Sequence, residues 1–347
     1  MKSNMKKFIL LLLISSISFV LKSQNDFTKT YYPQINKAEL EIVQGNYKKA
    51  LLHYKKAFKS LKVNGFGKDY YNASMCCNLL GELELGFEYI EKIIGKGVEY
   101  NFFKINEHHF ENLIYDTRWD DIMTEYQSRQ TELFGRTVSV SIQGTLGEIL
   151  FRDTESREAR KRGEKVNVLK SDSLNIASLL KIIEEEGFPR EEIIGMRNAT
   201  DTSNDFYMLV IIHHMRNWSK DRQKVDLRPM IKEWIKEGRM YPETGMDFIN
   251  FGNSLIEREY PVTYGQISMI RFMGDDSFYT KNYTAEEKQE IDKQRSELGL
   301  EPINEYESKQ AFQIENGLRK SRFQIVRIPY DMYPKEFKEE MNLKKIK

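Results

Sequence analysis

The chain has 347 residues, of which 30% are charged and 12% are aromatic. This composition predicts a globular protein with enough apolar material for a core, and the length favours two domains. The 53 basic and 52 acidic residues leave a formal net charge of +1, so no strong field attracts nucleic acid or another polyanion, and we predict no nucleic-acid partner.

The first 24 residues have the pattern of an export signal. Three lysines precede "FILLLLISSISFVL", an apolar run of 14 residues. A membrane-spanning helix needs about 20 such residues, so the run fits a secretory signal better. We predict a signal peptide over residues 1–24 and an exported, periplasmic or secreted bacterial protein with no membrane attachment after cleavage. An uncleaved anchor is the alternative.

Residues 31–133 are predicted to form stacked helical hairpins. The stretch "KAELEIVQGNYKKALLHYKKAF" has small residues at helical spacing, and Ser74 and Gly81 repeat Ala38 and Gly45 after 36 residues. The pattern resembles the tetratricopeptide repeat, whose period is about 34. The resemblance implies a short solenoid, capped by "FENLIYDTRWDDIMTEY", that can present a concave face to a protein or peptide. A chance pair of hairpins is the alternative.

Residues 142–310 are predicted to form a second, mostly helical domain. A polar link with β tendency, "RTVSVSIQG" (136–144), precedes it. Amphipathic helices follow, with a buried helix in "DFYMLVIIHHMRNW" and short strands in "QISMIRF" and "FQIVRIPY". The predicted fold is therefore mainly α, a hairpin solenoid plus a helical domain with a small β element. Residues 311–347 are predicted to be a C-terminal extension.

Dispersed residues of this second region carry a resemblance to a known family. They are Asp153 with Arg157, Asp172, Asn175, "EGFP", Ile194-Gly195, the helix that ends in His214, "VTYGQ" (262–266) and "IDKQRSELGLEPINEY" (291–306). In order and spacing the region is similar to the bacterial domain-of-unknown-function family 6624, over about 170 residues. That family usually has Gln where His213 stands, and its activity is not established. The resemblance thus implies an architecture and candidate residues but no reaction.

The adjacent histidines His213 and His214 are the most informative polar residues. Neighbours on a helix diverge by about 100°, so they cannot both bind one metal from the same face. His214 extends the apolar stripe of its helix, and a buried imidazole needs a polar partner. Asp153, Asp172 and Asp205 are the acidic candidates, and a backbone carbonyl is the alternative.

The roles of these residues depend on that partner. If it is Asp153, His214 becomes a candidate general base, and Arg157 becomes a clamp for a carboxylate or phosphate. Otherwise Asp153 and Arg157 form a surface ion pair at i, i+4 spacing, and His214 is a core residue. The catalytic candidates are His214, Asp153 and Arg157. The ligand-binding candidates are His213, Tyr264, Gln266 and Arg295.

Common catalytic and cofactor motifs are missing from the sequence. It contains no His-Glu-x-x-His, no Gly-x-Ser-x-Gly and no dinucleotide-binding fingerprint. We therefore predict no metal and no cofactor. The favoured function is an exported binding protein, in which helical repeats support a domain that captures a small molecule or peptide. The alternative is a periplasmic enzyme, a hydrolase that uses His214 with Asp153 and Arg157.

Overall fold

The protein is mainly α-helical and carries one small sheet. The computed structural model describes residues 26–61, 64–196, 210–215, 225–256, 263–265, 269–317, 321–326, 330–338 and 341–346. The predicted mainly helical class with a small β element is confirmed. The predicted export signal, 1–24, lies outside these ranges. Within them, no helix has both the length and the apolar character needed to cross a bilayer.

The first part of the chain is a succession of helices. They are α1 Phe27–Thr30, α2 Tyr32–Val43, α3 Tyr47–Lys59, α4 Gly67–Leu80, α5 Leu83–Ile94, α6 Tyr100–Ile105, a 3₁₀ turn Glu107–His109, α7 Thr117–Thr124 and α8 Tyr126–Leu133. Helix α2 packs on α3 and α4 packs on α5, so the predicted hairpins are present. Their relation to the tetratricopeptide repeat stays a prediction.

The turn inside each hairpin depends on a glycine. Gly45 and Gly81 have φ angles of 74° and 72°, a left-handed conformation that side chains with a Cβ rarely adopt. Seven residues before each glycine, Ala38 and Ser74 are fully buried. Small side chains at these points let the helices approach, which is why the sequence pattern recurs.

Among the described residues, the second part of the chain holds the remaining helices and the four strands. They are α9 Val140–Lys161, α10 Val168–Glu186, α11 Glu191–Ile194, the helical residues 210–215, α12 Arg228–Lys236, α13 Pro242–Ile256, β1 Met269–Phe272, β2 Tyr279–Lys281, α14 Ala285–Glu297, α15 Ile303–Glu315, β3 Tyr330–Tyr333, a 3₁₀ turn Lys335–Lys338 and β4 Leu343–Lys345.

The predicted β-leaning link at 136–144 is wrong over its last five residues, which begin α9. Ser139 caps this helix by accepting a hydrogen bond from the backbone N–H of Ile142. The Ile142 side chain is buried, 9% exposed. The cap and this burial outweigh the β tendency of the valines and isoleucine.

The four strands lie in the order β3-β1-β2-β4. Strand β1 runs antiparallel to β2 and parallel to β3, and β2 runs antiparallel to β4. The strand predicted in "QISMIRF" is therefore confirmed over Met269–Phe272. The boundary predicted after residue 310 falls inside α15, and β3 and β4 complete the sheet, so the C-terminal stretch is not a separate extension.

The strand predicted in "FQIVRIPY" is wrong for residues 323–326. Their backbone groups bond to side chains instead of to a neighbouring strand. Asn72 donates to the Gln324 carbonyl at 3.0 Å and accepts from its N–H at 3.0 Å, and the Ile325 N–H donates to Gln313 at 3.1 Å. This segment thus packs on α4.

The two parts of the chain share one hydrophobic core. Charged groups are also buried where they meet, and we call Glu39, Lys68, Glu301 and Lys309 the seam network. Glu39 accepts from Lys68 at 2.9 Å and from Lys309 at 2.6 Å, and Lys309 lies 3.0 Å from Glu301. None of the four side chains is more than 5% exposed.

Candidate functional site

Three helical segments bring four polar side chains together. Helices α9 and α10 pack on each other, and residues 210–215 lie against them. Asp153 and Arg157 are one turn apart on α9, Asp172 is on α10, and His213 is on the third segment. We call these four residues the His213 cluster.

Hydrogen bonds join all four residues. His213 Nδ1 lies 2.9 Å from Asp153 Oδ1. Arg157 donates from Nε to His213 Nε2 at 3.2 Å and from Nη2 to Asp172 Oδ1 at 2.9 Å. Its Nη1 lies 3.4 Å from Asp153 Oδ1. The guanidinium therefore contacts the imidazole and both carboxylates.

The arrangement of donors fixes the form of the imidazole. An arginine N–H can only donate, so His213 Nε2 must accept and carries no proton. The ring proton is then on Nδ1, where it donates to Asp153, and the imidazole is neutral. With two carboxylates, one guanidinium and a neutral ring, the His213 cluster has a formal charge of −1.

The His213 cluster is buried on one side and open on the other. The side chains of Asp153 and Asp172 are 3% and 4% exposed, whereas those of His213 and Arg157 are 20% and 26% exposed. Arg157 Nη1 makes no hydrogen bond to any residue that the structure describes. Nearby on α10, Asn175 accepts from Arg152 at 3.0 Å. The aspartates thus anchor the two groups that solvent can reach.

The contact between His214 and Asp153 on which a functional role for His214 depended is not present, because Asp153 and Arg157 contact His213 instead. His214 is 1% exposed and donates from Nε2 to the Val225 carbonyl at 2.7 Å. Its Nδ1 has no hydrogen-bond partner among the residues described. Burial lowers the pKa of His214, partly offset by the Val225 carbonyl and Asp172. The geometry is that of a core histidine paired with a carbonyl, which was one of the two roles that the sequence left open.

Tyr264 and Arg295 lie together but are not joined to the His213 cluster by any contact within the described ranges. Arg295 is fully buried and donates from Nη1 to the Tyr264 carbonyl at 3.0 Å. Its guanidinium lies over the Tyr306 ring, 4.6 Å from the centroid. Burial raises the pKa of Tyr264, which is 1% exposed. Their predicted ligand-binding role gains no support from this burial, and Gln266 lies outside the described residues.

Three groups of the cluster could hold a metal ion. Asp153, Asp172 and His213 each offer a ligand atom, and these atoms lie within 4.8 Å of one another. Carboxylate oxygens and an imidazole nitrogen suit several divalent ions. Arg157 already contacts all three residues as a cation, so a metal ion would have to displace its guanidinium. The site as it stands is a hydrogen-bonded cluster.

Sequence reasoning chose the wrong histidine for a physical reason. The apolar stripe Val210, Ile211, Met215 correctly placed His214 in the core, where all are at most 2% exposed. The requirement that a buried imidazole have a polar partner does not distinguish a carboxylate from a backbone carbonyl, and the partner of His214 is the Val225 carbonyl. A useful signal was the Gln that the resembled family carries at position 213, since it marks a hydrogen-bonding position.

Comparisons with known proteins returned no match, either to family models, to curated proteins or to solved structures. The two family resemblances seen in the sequence therefore stay predictions.

Proposed function

We propose that the protein is an exported binding protein that holds a small polar ligand or a peptide at the His213 cluster. The observation that carries the proposal is the position of Arg157. Its guanidinium is fixed by His213 and Asp172, and its side chain is about a quarter exposed. Its Nη1 is buried 3.4 Å from Asp153, so the exposed part of the side chain is what a ligand can reach. A preorganised donor at a partly open site suits ligand binding.

The charges indicate which ligand group fits. The positive charge of Arg157 is already balanced by Asp153 and Asp172. A phosphate or carboxylate would meet a cluster with a formal charge of −1 and would be repelled. A neutral acceptor, such as a peptide carbonyl, can approach the exposed part of the Arg157 side chain without this cost. The ligand group therefore differs from the carboxylate or phosphate that one of the two roles predicted for Arg157 would bind.

The identity of residue 213 in the resembled family supports a binding role. A Gln side chain can donate to Asp153 and accept from Arg157, so it can replace both hydrogen bonds of His213. It cannot act as a general base, because a carboxamide is too weakly basic to take up a proton near neutral pH. A position that takes either residue is one that orients Arg157.

A general-base enzyme is the second candidate, and the hydrogen bond between Asp153 and His213 favours it. Hydrolases orient a catalytic imidazole by a buried carboxylate bonded to Nδ1, as here at 2.9 Å. His213 Nε2 would become the base once the Arg157 guanidinium moved off it. The catalytic residue would then be His213 and not His214.

The binding proposal can be tested by calorimetry with N-acetyl-trialanine amide as the probe and inorganic phosphate as the comparison. We expect the peptide to bind and phosphate not to. Arg157→Lys should weaken peptide binding about tenfold, because lysine lacks the planar fork. Arg162→Lys is the matched control, since Arg162 follows the last residue of α9 but pairs with Glu155 and Glu164 in solvent. Equal affinities for both variants would refute the proposal.

His213→Gln separates the two candidates. A binding role predicts that this variant keeps peptide affinity within about threefold, because both hydrogen bonds survive. A general-base role predicts that the wild type hydrolyses p-nitrophenyl acetate and that the variant does not. If the wild type hydrolyses the ester and His213→Gln binds the peptide but does not hydrolyse, the protein is an enzyme. If the wild type does not hydrolyse the ester and His213→Gln binds the peptide as the wild type does, the protein is a binding protein.

A further inference from the structure

A second surface feature lies at the other end of α10. It is a groove of about 520 Å³ between the C-terminal end of α10, the turn after it, and α12. Asp172 and Glu184 are twelve residues apart on α10, which is roughly 18 Å along the helix axis. The groove is therefore separate from the His213 cluster and does not depend on its function.

The floor of the groove is apolar and rigid. Phe188 and Trp234 stack with ring centroids 4.4 Å apart and planes inclined by 24°. Phe188 is fully buried and Trp234 is 5% exposed, so both rings are held by the core. The partly buried side chains of Ile183 and Met230 extend this surface.

The rim of the groove is acidic. Glu184, Glu233 and Glu237 line it, against one cation, Arg239. Arg239 is already occupied, because it donates to Glu237 at 3.0 Å and to the Phe188 carbonyl at 2.9 Å. The lining residues thus carry a formal charge of −2.

Two of these carboxylates are available to a partner. Glu184 makes no ion pair with any residue in the described part of the chain, and Glu233 has only Lys236 at 3.8 Å, with both side chains about half exposed. The absence of a side chain at Gly187 makes room for the Arg239 guanidinium. A Cβ at Gly187 would lie 2.6 Å from the Arg239 guanidinium carbon, so only glycine leaves room for it there.

We propose that this groove binds a lysine or arginine side chain of an extended basic peptide segment in a partner protein. The aliphatic stem would lie on Met230 and Ile183, and its charged end would reach Glu184 and Glu233. An acidic partner would be repelled, and a wholly apolar one would bury these carboxylates without a counter-ion. Exposed ion pairs are individually weak, so a run of several basic residues is the expected ligand.

The test uses fluorescein-labelled hexalysine as the probe, with hexaglutamate as the charge-reversed comparison, and measures anisotropy at low and moderate salt. We expect hexalysine to bind the wild type and hexaglutamate not to. Replacing both rim carboxylates, Glu184→Gln with Glu233→Gln, should weaken binding about threefold to tenfold. The control replaces two neighbouring exposed glutamates outside the groove, Glu185→Gln with Glu186→Gln, and should leave the affinity unchanged.

The matched control separates the groove from general electrostatic attraction, because both double variants change the net charge by the same amount. Equal weakening in the two variants would overturn the proposal, as would failure of hexalysine to bind the wild type. Met230→Ser gives a second measurement. It removes apolar floor but no charge, so a groove that holds the stem of the side chain should lose affinity about threefold. Unchanged affinity in that variant would also contradict the proposal.

Discussion

The seam network and the His213 cluster are built from the same kinds of residues but differ in their access to solvent. In the seam network, Lys309 joins two glutamates, and no side chain of the network is more than 5% exposed. In the His213 cluster, Arg157 joins two aspartates, but its own side chain is 26% exposed. The composition of a buried polar group therefore does not reveal its role. Exposure of the cation distinguishes a structural network from a candidate site.

The two clusters should also differ in what they contribute to stability. Burial lowers the pKa of Lys309, but Glu301 and Glu39 outweigh this and raise it overall, so the lysine stays charged. A charge held in this way leaves uncompensated partners when it is removed. Solvent can reach the His213 cluster and can replace part of what Arg157 provides.

The largest expected effect is at the centre of the seam network. Lys309→Met keeps the length of the side chain but strips both buried glutamates of a counter-ion, so the free energy of unfolding should fall by about 3–5 kcal/mol. Urea denaturation measures this. Lys293→Met is the control, because its pair with Glu290 is about two-thirds exposed, and it should change stability by less than about 0.5 kcal/mol. If Lys309→Met lowered the free energy of unfolding as little as Lys293→Met, the seam network would not be the structural network described here.

The same substitution in the His213 cluster should cost less. Arg157→Met removes hydrogen bonds to His213 and Asp172, and we expect a loss of about 1–2 kcal/mol in the free energy of unfolding. The loss is smaller than at Lys309 because water can reach the vacated partners. If Arg157→Met destabilised the protein as much as Lys309→Met, the His213 cluster would be a structural network too.

An intermediate effect, on the pH dependence of stability, is expected at Asp69, which neighbours Lys68 of the seam network. Burial raises the pKa of Asp69 to about 7, although Lys68 offsets part of this, and the Tyr31 hydroxyl donates to its carboxyl at 2.6 Å. The unfolded chain loses the proton near the ordinary value of an aspartate, so the stabilisation is lost as the pH rises towards 7. Relative to the wild type, Asp69→Asn should therefore gain about 2 kcal/mol of stability between pH 5 and pH 7. Parallel stability curves for the two proteins would contradict this assignment.

The smallest expected effect is at His214, and it has the opposite sign. Because the pKa of His214 is lowered in the folded protein, the unfolded chain binds the proton first as the pH falls. Stability from this group is present at neutral pH and is lost on acidification below the ordinary pKa of histidine. His214→Gln should thus lose less stability than the wild type between pH 7.5 and pH 5.5. A steeper loss in the variant would show that His214 is not sealed in the core.

Much of the fold could be predicted because its signals are local. Gly45 and Gly81 marked the hairpin turns, and Gly187 ends α10 with a φ angle of 75°. The failures occurred where partners distant in sequence decide the conformation. Residues 323–326 have strand composition, but Asn72 and Gln313 take their backbone hydrogen bonds.

The candidate site was predicted in part. Asp153 and Arg157 at i, i+4 spacing were identified from the sequence, and they do meet a histidine. Which histidine they meet depends on how residues 210–215 are rotated against α9 and α10, and a sequence pattern does not give that rotation. Tyr264 and Arg295 also meet each other, through a backbone carbonyl that no side-chain motif indicates.

The central claim is that His213, and not His214, belongs to the polar cluster with Asp153 and Arg157. Long-range ¹H–¹⁵N NMR spectra of the imidazoles test it most directly, with His213→Gln used to assign the signals. The geometry predicts opposite neutral tautomers, with the proton on Nδ1 in His213 and on Nε2 in His214. A proton on Nε2 of His213, or on Nδ1 of His214, would contradict the account.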